Sequence, residues 1–287
     1  MPGLSAAQIS DLFLAACRAE LDALKPGNVH VHANGHGMEV AQFEASAVAS
    51  APFIAAAGVG VGARILGAVE VSFAAAGCNT NLGILLLCAP LAAAAEMPGE
   101  ATLRQRLRAV LNGFDDNDAA SVFAAIRIAN PGGLGAVPDQ DVATAPTVGL
   151  FEAMALAAAR DRVASAYVTD YADIFEFGLK VLAGAMVHTD DRLLAVTTLH
   201  MAYLAYFPDS HITRKHGAAM AETVRGRAYA LAPAWQPVAQ RNTLPKLLDF
   251  DAELKRLNVN PGTTADLVVA TLFAASMCDA LGPSSAP

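Results

Sequence analysis

Four short polar clusters interrupt a chain made mostly of alanine and aliphatic residues, and they carry most of the side chains able to do chemistry. They are Lys25-Pro26-Gly27-Asn28, Gly77-Cys78-Asn79-Thr80-Asn81-Leu82-Gly83, Asp209-Ser210-His211-Ile212-Thr213-Arg214-Lys215-His216-Gly217 and Asn260-Pro261-Gly262-Thr263-Thr264-Ala265-Asp266. Each falls where a helix should begin or end. Backbone N–H groups left unpaired by the helix would then lie beside carboxylate, amide, hydroxyl and basic side chains. That combination suits an enzyme site for a phosphorylated ligand.

The cluster from Asp209 to Gly217 is the densest. Capping of a helix start by Asp209 or Ser210 accounts for two of its residues, and the others, with His211, Arg214 and Lys215 among them, suit a Mg²⁺-phosphate or general acid/base site. Asp266, beside Thr263 and Thr264 in the first turn of a helix, either answers the helix dipole or joins the hydroxyls at a ribose or metal-bridged phosphate. Glu20 follows Ala16 by four residues and so projects from an apolar helix face. A carboxylate there must be paired, protonated or metal-bound. Lys25 is one partner for it, and a lysine answering a helix C-terminus is the ordinary alternative. Asn79, Thr80 and Asn81 precede an apolar helix and read equally as caps or as an anion or ribose site, with Gly83 permitting close approach to the backbone.

Other patterns are weaker. His30, His32 and His36 share a loop at a spacing that invites a transition metal, yet no cysteine or acid completes a zinc pattern. Polar loop residues or ligand hydrogen bonds are the favoured reading of these histidines. Thr189-Asp190-Asp191-Arg192 reads as a helix cap. The glycine runs Gly58 to Gly62 and Pro131 to Gly135 lack the Gly-Lys-Ser/Thr ending of a Walker loop, and the first follows a helix, so Walker and Rossmann readings are set aside.

The elements that must position these groups are helices. Apolar residues recur at helical spacing, as in Ile9, Leu12, Phe13 and Ala16, while alternating strand-like runs are nearly absent. The expected fold is all-α, a compact multi-helix bundle with an interhelical cleft. Ser5 with Gln8 forms a capping box for the first helix, which Lys25-Pro26-Gly27 ends. Further helices are expected over 40–57, 63–76, 81–96, 101–112, 116–129, 148–166, 170–187, 190–206, 212–231, 243–256 and 262–281, the last with Asn260 as N-cap and Pro261 at its first position. Segment 130–147, rich in glycine and proline, reads as a loop folded over the cleft. Residues 1–281 read as one helical domain, with 282–287 a disordered tail.

Composition narrows the partners. A net charge of −8 without a Lys/Arg-rich run argues against nucleic acid, which demands neutralisation of many phosphates. A hydrophobic share of 54% with 16% charged residues excludes disorder for nearly the whole chain. The uncharged stretches Ala45 to Ala63 and Leu82 to Ala95 each contain a proline and read as buried helices rather than membrane spans. Cys17, Cys78, Cys88 and Cys278 form no CxxC pair, and with no signal-like N-terminus a cytoplasmic location is expected. Small apolar helix faces leave a homo-oligomer open.

Taken together, Glu20 with Lys25-Pro26-Gly27, Asn79-Thr80 with Gly83, Asp209-Ser210 with Lys215 and Gly217, and Pro261-Gly262 with Ala265-Asp266-Leu267 resemble the triphosphoribosyl-dephospho-CoA synthase family. The resemblance spans nearly the whole chain. It implies an all-helical transferase using ATP as ribosyl donor and Mg²⁺. The 2′-hydroxyl of dephospho-CoA attacks the anomeric carbon of ATP, and adenine leaves. On that reading Asp209 and Asp266 are acid/base or Mg²⁺ carboxylates and Glu20 is a third candidate. Lys25, Arg214 and Lys215 face phosphate, and Asn79, Thr80 and Thr263 orient ribose or phosphate, with Asn81, His211 and Thr264 beside them. The chain departs from the citrate-lyase branch, where Asn-Thr-His-Lys-Gly stands in place of Asn79-Thr80-Asn81-Leu82-Gly83. It also matches the family's His-Lys-Asp-Met only loosely, in His36-Gly37-Met38-Glu39. Two alternatives therefore stay open: a diverged transferase or kinase acting on a pterin or furan one-carbon cofactor precursor, and a non-catalytic helical ligand-binding protein or scaffold.

Overall fold

The computed structural model describes residues 2–132 and 142–282. Its helices, in chain order, are α1 Ala6–Asp22, α2 Val40–Ile54, α3 Val61–Ala76, α4 Leu82–Glu96, α5 Leu103–Asn112, α6 Asp116–Ala129, α7 Leu150–Ala157 and α8 Arg162–Val168. After a π-helical turn over Asp173–Gly178 come α9 Leu179–His188, α10 Arg192–Tyr206, α11 Ser210–His216, α12 Ala218–Ala230, α13 Ala232–Trp235, α14 Leu244–Arg256 and α15 Gly262–Leu281. The described residues contain no strand, only isolated bridges within the loop from His30 to Met38, so the fold is all-α. The central part of segment 130–147 and the tail beyond Gly282 lie outside the described residues.

Two apolar helices form the interior. Every residue of α4 from Ile84 to Ala95 is buried, as is α15 from Leu267 to Ala274. Among the described residues α15 is the one helix long and apolar enough to cross a membrane, and here it serves as a core helix against α1, α4 and α10. Helix α4 contains Pro90, whose missing N–H leaves the Leu86 carbonyl without its usual partner. The Tyr167 hydroxyl of α8 donates to that carbonyl at 2.7 Å, and Tyr171 donates to the Leu87 carbonyl at 3.2 Å. A second apolar cluster, around Trp235, Phe250 and Leu254, packs α12, α13 and α14 on α10, whose residues divide between the two clusters.

The capping box expected at Ser5 and Gln8 is present at the start of α1. Three expected helices are interrupted. Segment 148–166 breaks into α7 and α8 at Arg160-Asp161, where the Asp161 carboxylate accepts the Val163 and Ala164 N–H groups and restarts the helix. Segment 170–187 opens with the π-helical turn, and 212–231 divides at Gly217 into α11 and α12. Asn260 does not cap α15: its amide oxygen accepts from Asn28 at 2.8 Å instead, and the cap comes from another helix.

Gly217 takes φ 86° and ψ 160°, a region essentially closed to residues with a Cβ. Gly217→Ala should therefore lower unfolding stability by about 1–3 kcal/mol in urea denaturation. Gly226, inside α12 and facing open space, is the contrast: Gly226→Ala should raise stability by up to about 1 kcal/mol. Equal effects at the two positions would contradict this assignment of strain.

Candidate active site

A cavity of about 780 Å³ opens among the starts of α4, α8, α11 and α15, with α1, α6 and α7 completing its wall. It exists because two helix starts meet there and satisfy each other. Asp209, with 3% of its surface exposed, accepts the Ile212 N–H of its own helix α11 through Oδ1 at 2.9 Å. Its Oδ2 accepts the Thr264 N–H at 2.7 Å and the Thr264 hydroxyl at 2.8 Å. In return the Thr263 hydroxyl oxygen accepts the His211 N–H at 3.2 Å. Ser210 extends the junction by accepting the Arg162 N–H at the start of α8.

Asp209 thus has both oxygens committed, and neither it nor Thr264 lines the cavity. Asp266, one turn after that junction, does line it. No hydrogen bond or ion pair to this carboxylate is found among the described residues. It rests against the first turn of α4: a Cβ on Gly83 would lie 2.0 Å from Asp266 Oδ2. Burial pushes its proton affinity well above the ordinary carboxylate range. The charges of Asp209, Asp161 and Glu20 push it further, with Arg214 opposing.

Glu20 also reaches the cavity, and its carboxylate pairs with Lys25. Lys25 is wholly enclosed, bonded to Glu20 and to the Asn28 amide oxygen at 3.1 Å, and is absent from the cavity wall. Its expected contact with phosphate is replaced by a structural one. Burial raises the proton affinity of Glu20 against the pull of the neighbouring ammonium. The Lys25-Pro26-Gly27 turn is held from several sides. His200 donates to the Pro26 carbonyl, His36 donates to the Gly27 carbonyl at 2.7 Å, and Asp251 accepts the Gly27 N–H at 2.8 Å.

Asn79, Thr80 and Asn81 all line the cavity, and each also has a structural partner. Asn79 accepts the Leu82 N–H at 3.2 Å, Thr80 donates to Ser46 at 2.6 Å, and Asn81 donates to Ser72 at 3.3 Å. His211 and Thr263 line the wall too, and the His211 Nε2 is buried without a partner. Burial, with Arg214 and Lys215 nearby, lowers the His211 pKa to about 3. Arg214 donates to the Gly132 carbonyl at 3.1 Å and meets Asp161 at 3.5 Å, while Lys215 stays exposed at the rim.

Of the three loop histidines, His30 and His32 lie with ring centroids 5.6 Å apart, and His36 stands apart from them. His30 is buried beside Asp251 and Lys255, His32 is exposed, and His36 alone reaches the cavity. Asp191 caps α10. Sequence reading missed Arg160 and Asp161, which both line the cavity, because they were placed inside a continuous helix. The signal was an Arg160-Asp161-Arg162 charge cluster in an otherwise apolar stretch, with Asp a strong N-cap former.

The family model for CitG, ATP:dephospho-CoA triphosphoribosyl transferase, matches residues 6–285. The chain belongs to this family. It is an ATP-dependent transferase that moves the triphosphoribosyl group of ATP to dephospho-CoA, and the kinase and scaffold alternatives are not favoured. A crystal structure from Archaeoglobus fulgidus, of a protein provisionally assigned as triphosphoribosyl-dephospho-CoA synthase, is similar at a TM-score of 0.63 and 26% identity. The similarity covers 80% of this chain and 96% of that one. No curated protein matches.

The contact between Gly83 and Asp266 gives a direct test of the site. Gly83→Ala forces Asp266 away from its place while putting a better helix former into α4. Turnover measured as adenine release should fall about a hundredfold, the cost of a misplacement of roughly 1 Å, with little change in melting temperature. Undiminished turnover would show that the position of Asp266 is not required.

Proposed function

We propose that ATP lies in this cavity with its ribose toward the carboxylates of Asp266 and Glu20 and its triphosphate toward Arg214 and Lys215, and that Asp266 is the acid/base group of the transfer. The observation that carries the reading is the Asp266 carboxylate itself, on the cavity wall without a hydrogen-bond partner among the described residues and with its proton affinity raised. In the reaction the bond between C1′ and the adenine nitrogen breaks, and adenine keeps the electron pair and takes up a proton from solvent, to which Asp266 later returns the one it receives. The 2′-hydroxyl oxygen of dephospho-CoA forms the new bond to C1′ and gives its proton to Asp266. A raised proton affinity makes that carboxylate a better base near neutral pH than an ordinary aspartate. Glu20, held beside Lys25, places negative charge near the positive charge that develops at C1′. Ile84, Phe123, Ile126 and Met154 supply an apolar wall suited to the adenine ring.

The described residues hold no group of three or more His, Cys, Asp or Glu side chains able to bind a metal by themselves. Mg²⁺ needs few protein ligands when phosphate oxygens complete its shell. Asp161 fits that part, because among the described residues its Oδ2 has only the long contact to Arg214. Asp209 does not fit, since both its oxygens are occupied. Bound there, Mg²⁺ would neutralise charge on the triphosphate.

Incubation with ATP, Mg²⁺ and dephospho-CoA should yield free adenine and the triphosphoribosyl adduct in equal amounts by mass detection. Asp266→Asn should reduce turnover by roughly 100- to 10,000-fold. Because the base must be ionised, wild-type activity should decline as pH falls through a value above the usual carboxylate range. Stability has the opposite sign. A carboxyl whose folded proton affinity is raised favours folding only while protonated, so its contribution is lost as pH rises. Without nucleotide, Asp266→Asn should melt higher than wild type at pH ~8, and the gain should vanish below about pH 3.9, the ordinary aspartate value. ADP in place of adenine, or an Asp266→Asn enzyme with full turnover, would contradict the assignment.

A further inference from the structure

We propose that Arg160 reads the length of the donor's phosphate chain by binding the terminal phosphate of ATP. This rests on the reading above, in which the ribose lies inward and the triphosphate outward. The carboxylates of Asp266 and Glu20 line the cavity, and a polyanion is repelled from that end and drawn to the rim. Arg160, Arg214 and Lys215 are the Lys and Arg side chains on the described wall.

These three cations are not equivalent. Arg214 is tied to the Gly132 carbonyl and faces the Asp161 carboxylate, which offsets part of its charge. Lys215 is a point charge on a flexible stem. Arg160 donates one N–H to the Leu156 carbonyl at 3.1 Å and has no acidic partner among the described residues. The remaining donors of its fork have no partner among the described residues, and a guanidinium can grip a phosphate with two parallel hydrogen bonds.

Arg160 also springs from a fixed turn. Its own N–H and that of Asp161 both donate to the Ala157 carbonyl at 3.0 Å. Asp161 caps α8, and the Arg162 N–H is bound by Ser210 at 2.9 Å. The base of the side chain is therefore anchored to α7, α8 and α11, while the residue is exposed where it lines the cavity. That is the arrangement expected of a group that meets the last, most solvent-exposed phosphate and not the sugar.

The test compares ATP with ADP as donor to dephospho-CoA, with Mg²⁺ present. Adenine release and the masses of the triphosphoribosyl and diphosphoribosyl adducts are followed in wild type, Arg160→Ala and Arg108→Ala. Arg108 is an exposed arginine paired with Asp170 and is not part of the cavity wall. Wild type and Arg108→Ala should prefer ATP. In Arg160→Ala the kcat/KM for ATP should drop roughly ten- to a hundredfold, through KM more than kcat, while that for ADP changes little, so the preference collapses. Both donors are measured on one preparation, so partial unfolding cancels in the ratio. An unchanged ATP/ADP ratio in Arg160→Ala, or the same collapse in Arg108→Ala, overturns the proposal while leaving the site assignment in place. Failure of wild type to release adenine from ATP refutes the underlying reading instead.

Discussion

The site depends on one carboxylate serving two helix starts. Helices α11 and α15 begin against each other in the interior, where exposed N–H groups cannot turn to water. Asp209 accepts from Ile212 at one start and from Thr264 at the other. A charge-assisted hydrogen bond to a buried carboxylate contributes on the order of 1.5–3 kcal/mol, so three donors on one side chain offset much of the cost of burying it. Because Asp209 is consumed in this way, it is unavailable for chemistry. Its negative charge nevertheless acts on Asp266, placed by the same helix start at the cavity wall, and raises the proton affinity there.

A second buried charge lies beside this junction. Lys25 is enclosed with Glu20 and Asn28, and Asn28 in turn donates to Asn260 just before α15. A buried ammonium is tolerable only with such partners. The cavity wall thus carries the Glu20 and Asp266 carboxylates on buried supports together with Arg160, Arg214 and Lys215. Gly83 completes it by letting the Asp266 carboxylate lie against the first turn of α4.

Much of this architecture was legible in the residues. Helical periodicity located α6 and α15 at the positions the structure shows, and the Ser5 and Gln8 pattern marked the start of α1. The breaks at Arg160-Asp161 and at Gly217 were not seen, because apolar spacing continues across both and only a local cap or a positive φ interrupts the helix. Local reading also assigned the α15 cap to Asn260, the adjacent side chain. The acceptor comes from Asp209, 55 residues away, a pairing no local pattern encodes. Lys25 was expected at phosphate for the same reason: spacing shows that a lysine follows a helix, not that Glu20 and Asn28 enclose its ammonium. Asn79, Asn81 and Asp266 do meet around one cavity, as the clustering of polar residues at helix ends suggested.

The most direct measurement is a carbon-13 titration of the Asp266 side-chain carboxyl, assigned by its loss in Asp266→Asn, with and without ATP. An unpaired carboxylate surrounded by Asp209, Asp161 and Glu20 should titrate well above an ordinary aspartate, and nucleotide in the cavity should move its midpoint. A midpoint in the ordinary carboxylate range that ATP leaves unchanged would contradict the placement of the reaction at Asp266.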